Sequence, residues 1–485
     1  MPNSSPPSTR LAPQPRSNYR WWALLVLALA QFLVILDATI VNIALPSIGA
    51  DLHLDTAALS WVITAYVLPF GGLLLFGGRL ADRFGHRRLF LIGVAGFGAA
   101  SVMAGLSSSG EMLLVARAIQ GASAAVLAPA ALALLTQLFS TPGDRAKALG
   151  IWGGVAGIGS VAGVLLGGVL TATFGWAAVF FVNLPVALIV LIAIPLLVDR
   201  DRASLGARLD VPGAITVTSG LVALVGGFTQ AQRLGFGHPV PLALFAAAAV
   251  LIAAFVVIES RTAAPLLPLG VFRNRATATG NLVVFLVGAA MIGLFFAIAV
   301  FLQEVLGYDA LAAGLASLPM AGVIVVVAGL APTLIHRFGV RTTLVGGLLV
   351  LVGGLVWLSM APSDAEFVAD LLAPTLLIGA GLGAALVAST DLAVTATGEG
   401  ESGLASALVN TSQQVGGVLG LAVLATVAAS RTQAVESAGG SLPVAMTAGF
   451  SWVFLGAAAF TFAAAAVALI MTPRAAVAAP EVALA

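Results

Sequence analysis

Long apolar runs, separated by short loops that carry nearly all the charge, occupy this sequence from residue 21 to residue 471. A helix needs about 20 apolar residues to cross the hydrocarbon core of a bilayer. On that basis spans fall near 21–43, 58–79, 89–107, 111–135, 147–171 and 176–198, then 211–229 and 241–258. Six more fall near 277–302, 312–335, 341–360, 367–389, 403–428 and 449–471. Lipid offers no partner to a free backbone N–H or C=O, so runs of this length are helices. The expected class is an all-α membrane protein with fourteen spans. Composition agrees, since only 8% of the 485 residues are charged, against roughly 25% in a soluble domain. The 55 glycines fit too, because small residues let membrane helices approach closely.

The first run contains Asp37 and is longer than the apolar core of a signal peptide, roughly 7–15 residues. It is expected to be retained as the first helix. Residues 1–20 are rich in Pro and Ser and are expected to form a disordered cytoplasmic N-terminus. Cytoplasmic loops of membrane proteins carry an excess of Lys and Arg. With the N-terminus inside, 18 of the 21 Lys and Arg fall in the tails and alternate loops on one side. Arg233 and Arg431 fall on the other side, and Arg117 lies within a span. A miscount of one central helix would destroy that split. The expected location is the inner, cytoplasmic membrane, multi-pass, with both termini cytoplasmic.

The loop after the second span reads Arg83-Phe84-Gly85-His86-Arg87, and the loop after the tenth reads Arg337-Phe338-Gly339-Val340-Arg341. They stand 254 residues apart on the same side. Six spans plus two extra ones fill that interval, which predicts a 6 + 2 + 6 plan of parallel halves, as in one large class of transporters. The expected organisation is an N-terminal six-helix bundle at 21–198, cytoplasmic linkers and two inserted helices at 199–275, a C-terminal six-helix bundle at 276–471 and a cytoplasmic tail at 472–485. The inserted pair is expected to pack outside both bundles.

The first loop with its approach, Gly78-Arg79-Leu80-Ala81-Asp82-Arg83-Phe84-Gly85-His86-Arg87-Arg88, resembles the major facilitator signature G-x-L-A-D-R-x-G-x-R-[RK]. Leu36-Asp37-Ala38-Thr39-Ile40-Val41-Asn42-Ile43-Ala44-Leu45-Pro46 is similar to the first-helix motif of the fourteen-helix drug:proton antiporters of that superfamily. Arg117-Ala118-Ile119-Gln120-Gly121 resembles the R-x-x-Q-G of proton-coupled members. The run Gly159, Gly163, Gly167, Gly168 resembles the antiporter motif, with Val164 where the family has proline. Phe180-Phe181-Val182-Asn183-Leu184-Pro185 also fits, with Ala177 where an arginine is common. The resemblance implies a major facilitator fold and proton-coupled efflux of amphiphilic drugs, dyes or antibiotics by alternating access. It assigns Gly78, Asp82, Arg83, Gly85 and Arg87 to a gating loop between the halves. Proton-coupled uptake, or export of an endogenous metabolite on the same fold, is the alternative.

An ionisable group inside a bilayer is costly and marks a functional site by default. Asp37 and Arg117 each lie about 10 Å below the same membrane boundary at 1.5 Å per residue. A guanidinium close by favours the carboxylate, and desolvation favours the neutral acid. A transporter can use that contest to take up and release a proton; a static brace is the competing reading. Gln120 is one turn from Arg117 and can orient it or meet substrate. Trp61, Tyr66, Phe285, Asn410, Gln413 and Gln414 are further candidate substrate contacts, with helix packing as the alternative for each.

No phosphate-binding Gly-x-x-x-x-Gly-Lys-[Ser/Thr] loop surrounds Lys147, the sole lysine, so no ATP-driven mechanism is expected. Four scattered histidines and no cysteines offer no metal-ligand spacing, and no enzyme site can be assembled. A net charge of +1 gives no field for nucleic acid. The expected partners are the lipid bilayer, protons and a small amphiphilic substrate. No cofactor beyond the proton gradient is expected, and the expected state is a monomer.

Overall fold

The computed structural model describes residues 17–139, 141–199, 209–262, 265–267, 269–395 and 402–471. The first half holds helices α1 (Ser17–Leu52), α2 (Thr56–Phe84), α3 (His86–Gly105), α4 (Gly110–Leu138), α5 (Pro142–Phe174), α6 (Ala178–Phe181) and α7 (Asn183–Leu197). An inserted pair follows, α8 (Val211–Leu234) and α9 (Pro239–Arg261). The second half holds α10 (Arg275–Val300), α11 (Ala310–Phe338), α12 (Val340–Leu358), α13 (Leu372–Thr395), α14 (Ser402–Ser437) and α15 (Leu442–Met471). Among the described residues there is no strand. Among the described residues thirteen stretches are long and apolar enough to cross a bilayer, α6 and α7 together making one of them, and α5 adds a shorter apolar stretch at Val161–Phe174. Each of the fourteen expected spans therefore coincides with a helix.

Local chemistry sets the helix starts. Carboxylates of Asp55, Asp210 and Asp309 accept backbone N–H bonds at the first turns of α2, α8 and α11, and Ser109 and Asn274 do the same for α4 and α10. The two repeated loops break at a residue with positive φ, Gly85 at 95° and Gly339 at 82°. Only glycine takes that conformation without strain, so α2 stops cleanly before α3, and α11 before α12.

Packing repeats between the halves. In the first, α4 packs on α2 and α3, α1 on α5 and α7, and α3 on α7. In the second, α13 packs on α11 and α12, α10 on α14 and α15, and α12 on α15. The halves meet along two matching seams, α2 with α14 and α5 with α11. Inserted helix α8 lies along the first seam, touching both α2 and α14, and α9 packs on α8. At the face opposite the chain termini the second seam is tight. A Cβ on Gly168 of α5 would stand 2.8 Å from the Ala310 carbonyl oxygen, and one on Gly314 of α11 would stand 3.0 Å from that of Val164. Gln303 Nε2 donates to the Ile43 carbonyl at 3.0 Å across the halves at the same face.

Two boundaries differ from expectation. Helix α1 begins at Ser17, inside the stretch 1–20 expected to be disordered. Arg20 explains this, with Nη2 2.9 Å from Asp144 of α5 and its guanidinium over the rings of Trp21 and Phe139. The helix also runs on to Leu52 through Pro46, so Asp37 sits nearer its middle than a span ending at 43 implies. Residues 1–16, 200–208 and 472–485, expected as tails and linker, lie outside the described residues.

Candidate functional site

Asp37 and Arg117, 0% and 1% exposed, meet inside the first half. Arg117 Nη1 donates to Asp37 Oδ2 at 2.5 Å and to Gln120 Oε1 at 2.9 Å, while its Nε donates to the Val62 carbonyl of α2 at 3.2 Å. The other carboxylate oxygen, Oδ1, accepts from Asn183 Nδ2 at 2.9 Å and from Gln120 Nε2 at 3.2 Å. Both amides also reach Ser101 Oγ, Gln120 at 2.8 Å and Asn183 at 3.3 Å. Ser101 in turn donates to the Phe97 carbonyl at 2.8 Å. Each of Asp37, Arg117, Gln120, Asn183 and Ser101 is buried. Five helices, α1, α2, α3, α4 and α7, thus contribute to one network, in which α4 and α7 donate to the Asp37 carboxylate directly.

The surroundings are built to hold charge without water. The Arg117 guanidinium lies over the Tyr66 ring at 4.4 Å and near Phe180 at 5.8 Å. A desolvated cation–π contact contributes about 2 kcal/mol. Paired and hydrogen-bonded charges of this kind survive burial where an isolated one would not. Two polar atoms are left over, Tyr66 OH and Asn183 Oδ1, both buried without a partner. Chemically, the site is a carboxylate whose donors come from other helices, so helix movement changes what holds its charge.

Sequence reasoning pairs Asp37 with Arg117 and places Gln120 beside them. It gives no role to Asn183 or Ser101. A lone asparagine in the apolar run 176–198 is the signal that points to the first. Ser101 carries no comparable signal, because a serine in a helix routinely bonds its own preceding turn.

The expected substrate contacts separate into three places. Tyr66 and Gln120 are enclosed in the buried network, 1% and 0% exposed. Gln414 sits on the seam between α2 and α14, and Trp61 of α2 faces α8. The Trp61 indole N–H donates to Thr229 Oγ1 of α8 at 2.9 Å, and a Cβ on Gly71 of α2 would stand 2.7 Å from Gln414 Cβ. Phe285, Asn410 and Gln413 belong to the second half, where α10 and α14 touch so closely that a Cβ on Gly416 would fall on the Phe285 carbonyl oxygen. Asn410 is exposed, Phe285 and Gln413 are half-buried, and Gln413 Nε2 faces Met291 Sδ at 4.0 Å. Ser412 in the same polar run donates to Asn281 Oδ1 of α10 at 3.0 Å.

Residues 27–421 match the sequence profile of the Major Facilitator Superfamily. The chain belongs to that superfamily. It is 42% identical over 440 residues to the puromycin resistance protein pur8 of Streptomyces alboniger, covering 90% of this chain and 87% of that one. To the cephamycin export protein CmcT of Amycolatopsis lactamdurans it is 40% identical over 458 residues, covering 93% and 91%. Its fold is similar to that of a bacterial homologue of the human lysosomal transporter Spinster in an inward-facing, unoccupied conformation, with TM-score 0.66 and 19% identity over 95% of this chain and 100% of that one.

In this major facilitator chain the signature loop touches both its own half and the segment before the second, where Arg79 donates to the Pro265 carbonyl at 3.2 Å. Asp82 Oδ1 lies 3.1 Å from His86 Nε2, with the Asp82 side chain 50% exposed, and His86 Nδ1 lies 3.2 Å from Gln137 Nε2 of α4. Arg87 donates to the Pro195 carbonyl of α7 at 3.1 Å, and the Arg83 guanidinium lies over the Phe84 ring. A Cβ on Gly78 would meet Pro129 of α4 at 3.7 Å. The glycines of α5 bracket the turn that carries Asp37: Gly159 packs on Ile35, Gly163 on Thr39 and Gly167 on Ile40. Gly168, one residue on, faces α11 of the other half.

Proposed function

We propose that this protein exports amphiphilic drugs, dyes or antibiotics across the cytoplasmic membrane by alternating access, driven by protons entering the cell. The observation that carries the reading is the buried Asp37 network, set in a chain 42% and 40% identical to an antibiotic resistance protein and an antibiotic export protein over about nine-tenths of its length. Both termini are cytoplasmic, which the 18-to-2 distribution of Lys and Arg supports. The tight seam of α5 and α11 then closes the outer face.

Asp37 is the proton carrier and Arg117 its alternative partner. When the helices around it shift, Arg117, Gln120 and Asn183 no longer all reach the carboxylate, and a desolvated Asp37 takes a proton instead. Restoring the donors on the inward side releases it. The electrical part of the driving force is about 2.3 kcal/mol per charge per 100 mV. Each tenfold of uncharged substrate costs about 1.4 kcal/mol, so one proton supports a modest gradient.

The test is a resistance screen in a host lacking its own efflux pumps, with puromycin, cephamycins and lipophilic dyes, each with and without an uncoupler. Raised resistance that the uncoupler removes supports the reading. A growth requirement for one nutrient, with unchanged resistance to every compound, contradicts it.

A further inference from the structure

Two carboxyl groups outside the Asp37 network are buried together at the termini-side ends of the inserted helices. Asp210 caps α8 and Glu259 lies in the last turn of α9, each 4% exposed. Asp210 Oδ1 accepts from the Gly213 N–H at 2.9 Å, and Glu259 Oε2 accepts from the Leu267 N–H at 3.0 Å. Their remaining oxygens, Asp210 Oδ2 and Glu259 Oε1, are buried without a hydrogen-bond partner. Both lie beside Gly213. A Cβ built on Gly213 would stand 2.7 Å from Asp210 Oδ2 and 3.0 Å from Glu259 Oε1. Glycine at 213 leaves space for both.

Among the described residues, Arg79 of α2 is the cation close enough to act on Glu259. Its Nη2 is spent on the Pro265 carbonyl at 3.2 Å, and among the described residues it makes no ion pair with either acid. Arg261, on α9 two residues beyond Glu259, is exposed. Two buried carboxylates side by side repel, and the backbone N–H groups and Arg79 leave Asp210 Oδ2 and Glu259 Oε1 without a donor. A single proton on the pair removes one charge and supplies a missing donor.

We propose that Asp210 and Glu259 form a second proton-binding site of this protein, the pair holding one proton. The site fastens the segment Pro265–Leu267, which leads into the second half, to the signature loop through Glu259 and Arg79. It is independent of Asp37. Loss of its proton places two negative charges in one dry pocket and loosens that fastening. Burial raises the Glu259 carboxyl above its ordinary value, so the stability that its proton contributes is lost as pH rises through the range in which it leaves the folded protein.

The test uses the full-length protein carrying Asp37→Asn, which removes the other buried acid. Infrared spectra at neutral pH are recorded for this background and for the same background with Asp210→Asn or Glu259→Gln. The result expected is a carboxylic-acid C=O band that is lost in both variants, since an amide then supplies the donor and the remaining acid ionises. The melting temperature of the background should fall as pH rises, and that slope should flatten in both variants. A background spectrum without any acid band that either substitution removes overturns the proposal, whatever the variants do. Should one variant fail to fold, the background spectrum and the other variant still decide.

Discussion

Removing Arg117 leaves Asp37 buried and short of a donor, and it strips the Val62 carbonyl and the Tyr66 ring face of their partner. Breaking one side of a buried pair costs about 3–5 kcal/mol, so Arg117→Ala should lower the melting temperature of the purified protein severely. Lysine restores a point charge without the fork that reaches Asp37, Gln120 and Val62 together, so Arg117→Lys should fall between the two. The double variant Asp37→Leu/Arg117→Met should lose less stability than the sum of its single changes, while every one of these variants loses transport. Additive losses of stability in the double variant would contradict direct coupling of the pair. At this scale charge is legible in the sequence, because an ionised side chain stands out within an apolar run. Asn183 and Ser101 are less so: neutral polar residues are common in membrane helices, and only the folded arrangement shows which of them reach the carboxylate.

Helix contacts in this molecule are made where glycine lets backbones touch. A Cβ on Gly121 of α4 would fall on the Tyr66 carbonyl oxygen of α2, and one on Gly420 of α14 would fall on the Ala289 carbonyl oxygen of α10. Gly121→Ala should therefore destabilise by about 1–3 kcal/mol, the usual cost of overpacking, read as a lower melting temperature. It also pushes Tyr66 from beneath Arg117, so transport should fall with it. Gly168 acts between the halves. Gly168→Leu sets a side chain against the backbone of α11 and should widen the closed face. The chain has no cysteine, so spin labels on introduced cysteines at the ends of α5 and α11 report that distance directly. An unchanged distance distribution would contradict the role given to this contact. Hydropathy locates every span, since length and polarity suffice for that. It misplaces ends such as Leu52 because it marks the hydrocarbon boundary, whereas helical hydrogen bonding continues beyond it.

The two halves repeat one packing pattern, and the spacing of Arg83-Phe84-Gly85 and Arg337-Phe338-Gly339 anticipates it. Sequence spacing does not show that α8 lies astride α2 and α14, because an apolar helix has no visible partner until the seam it covers is built. Movement of the halves should work through the signature loop. Asp82→Asn keeps size and removes the charge facing His86; it should leave a folded protein with strongly reduced transport, and normal transport would reduce the loop to an anchor. The most direct measurement concerns Asp37. Purified protein in proteoliposomes, under an imposed pH gradient, is assayed for movement of a transported drug or dye against its concentration gradient. Asp37→Asn, verified as folded, should bind substrate yet build no gradient, whereas the unaltered protein concentrates it. Full gradient-driven transport by Asp37→Asn would contradict the account and leave Asp37 and Arg117 a structural brace.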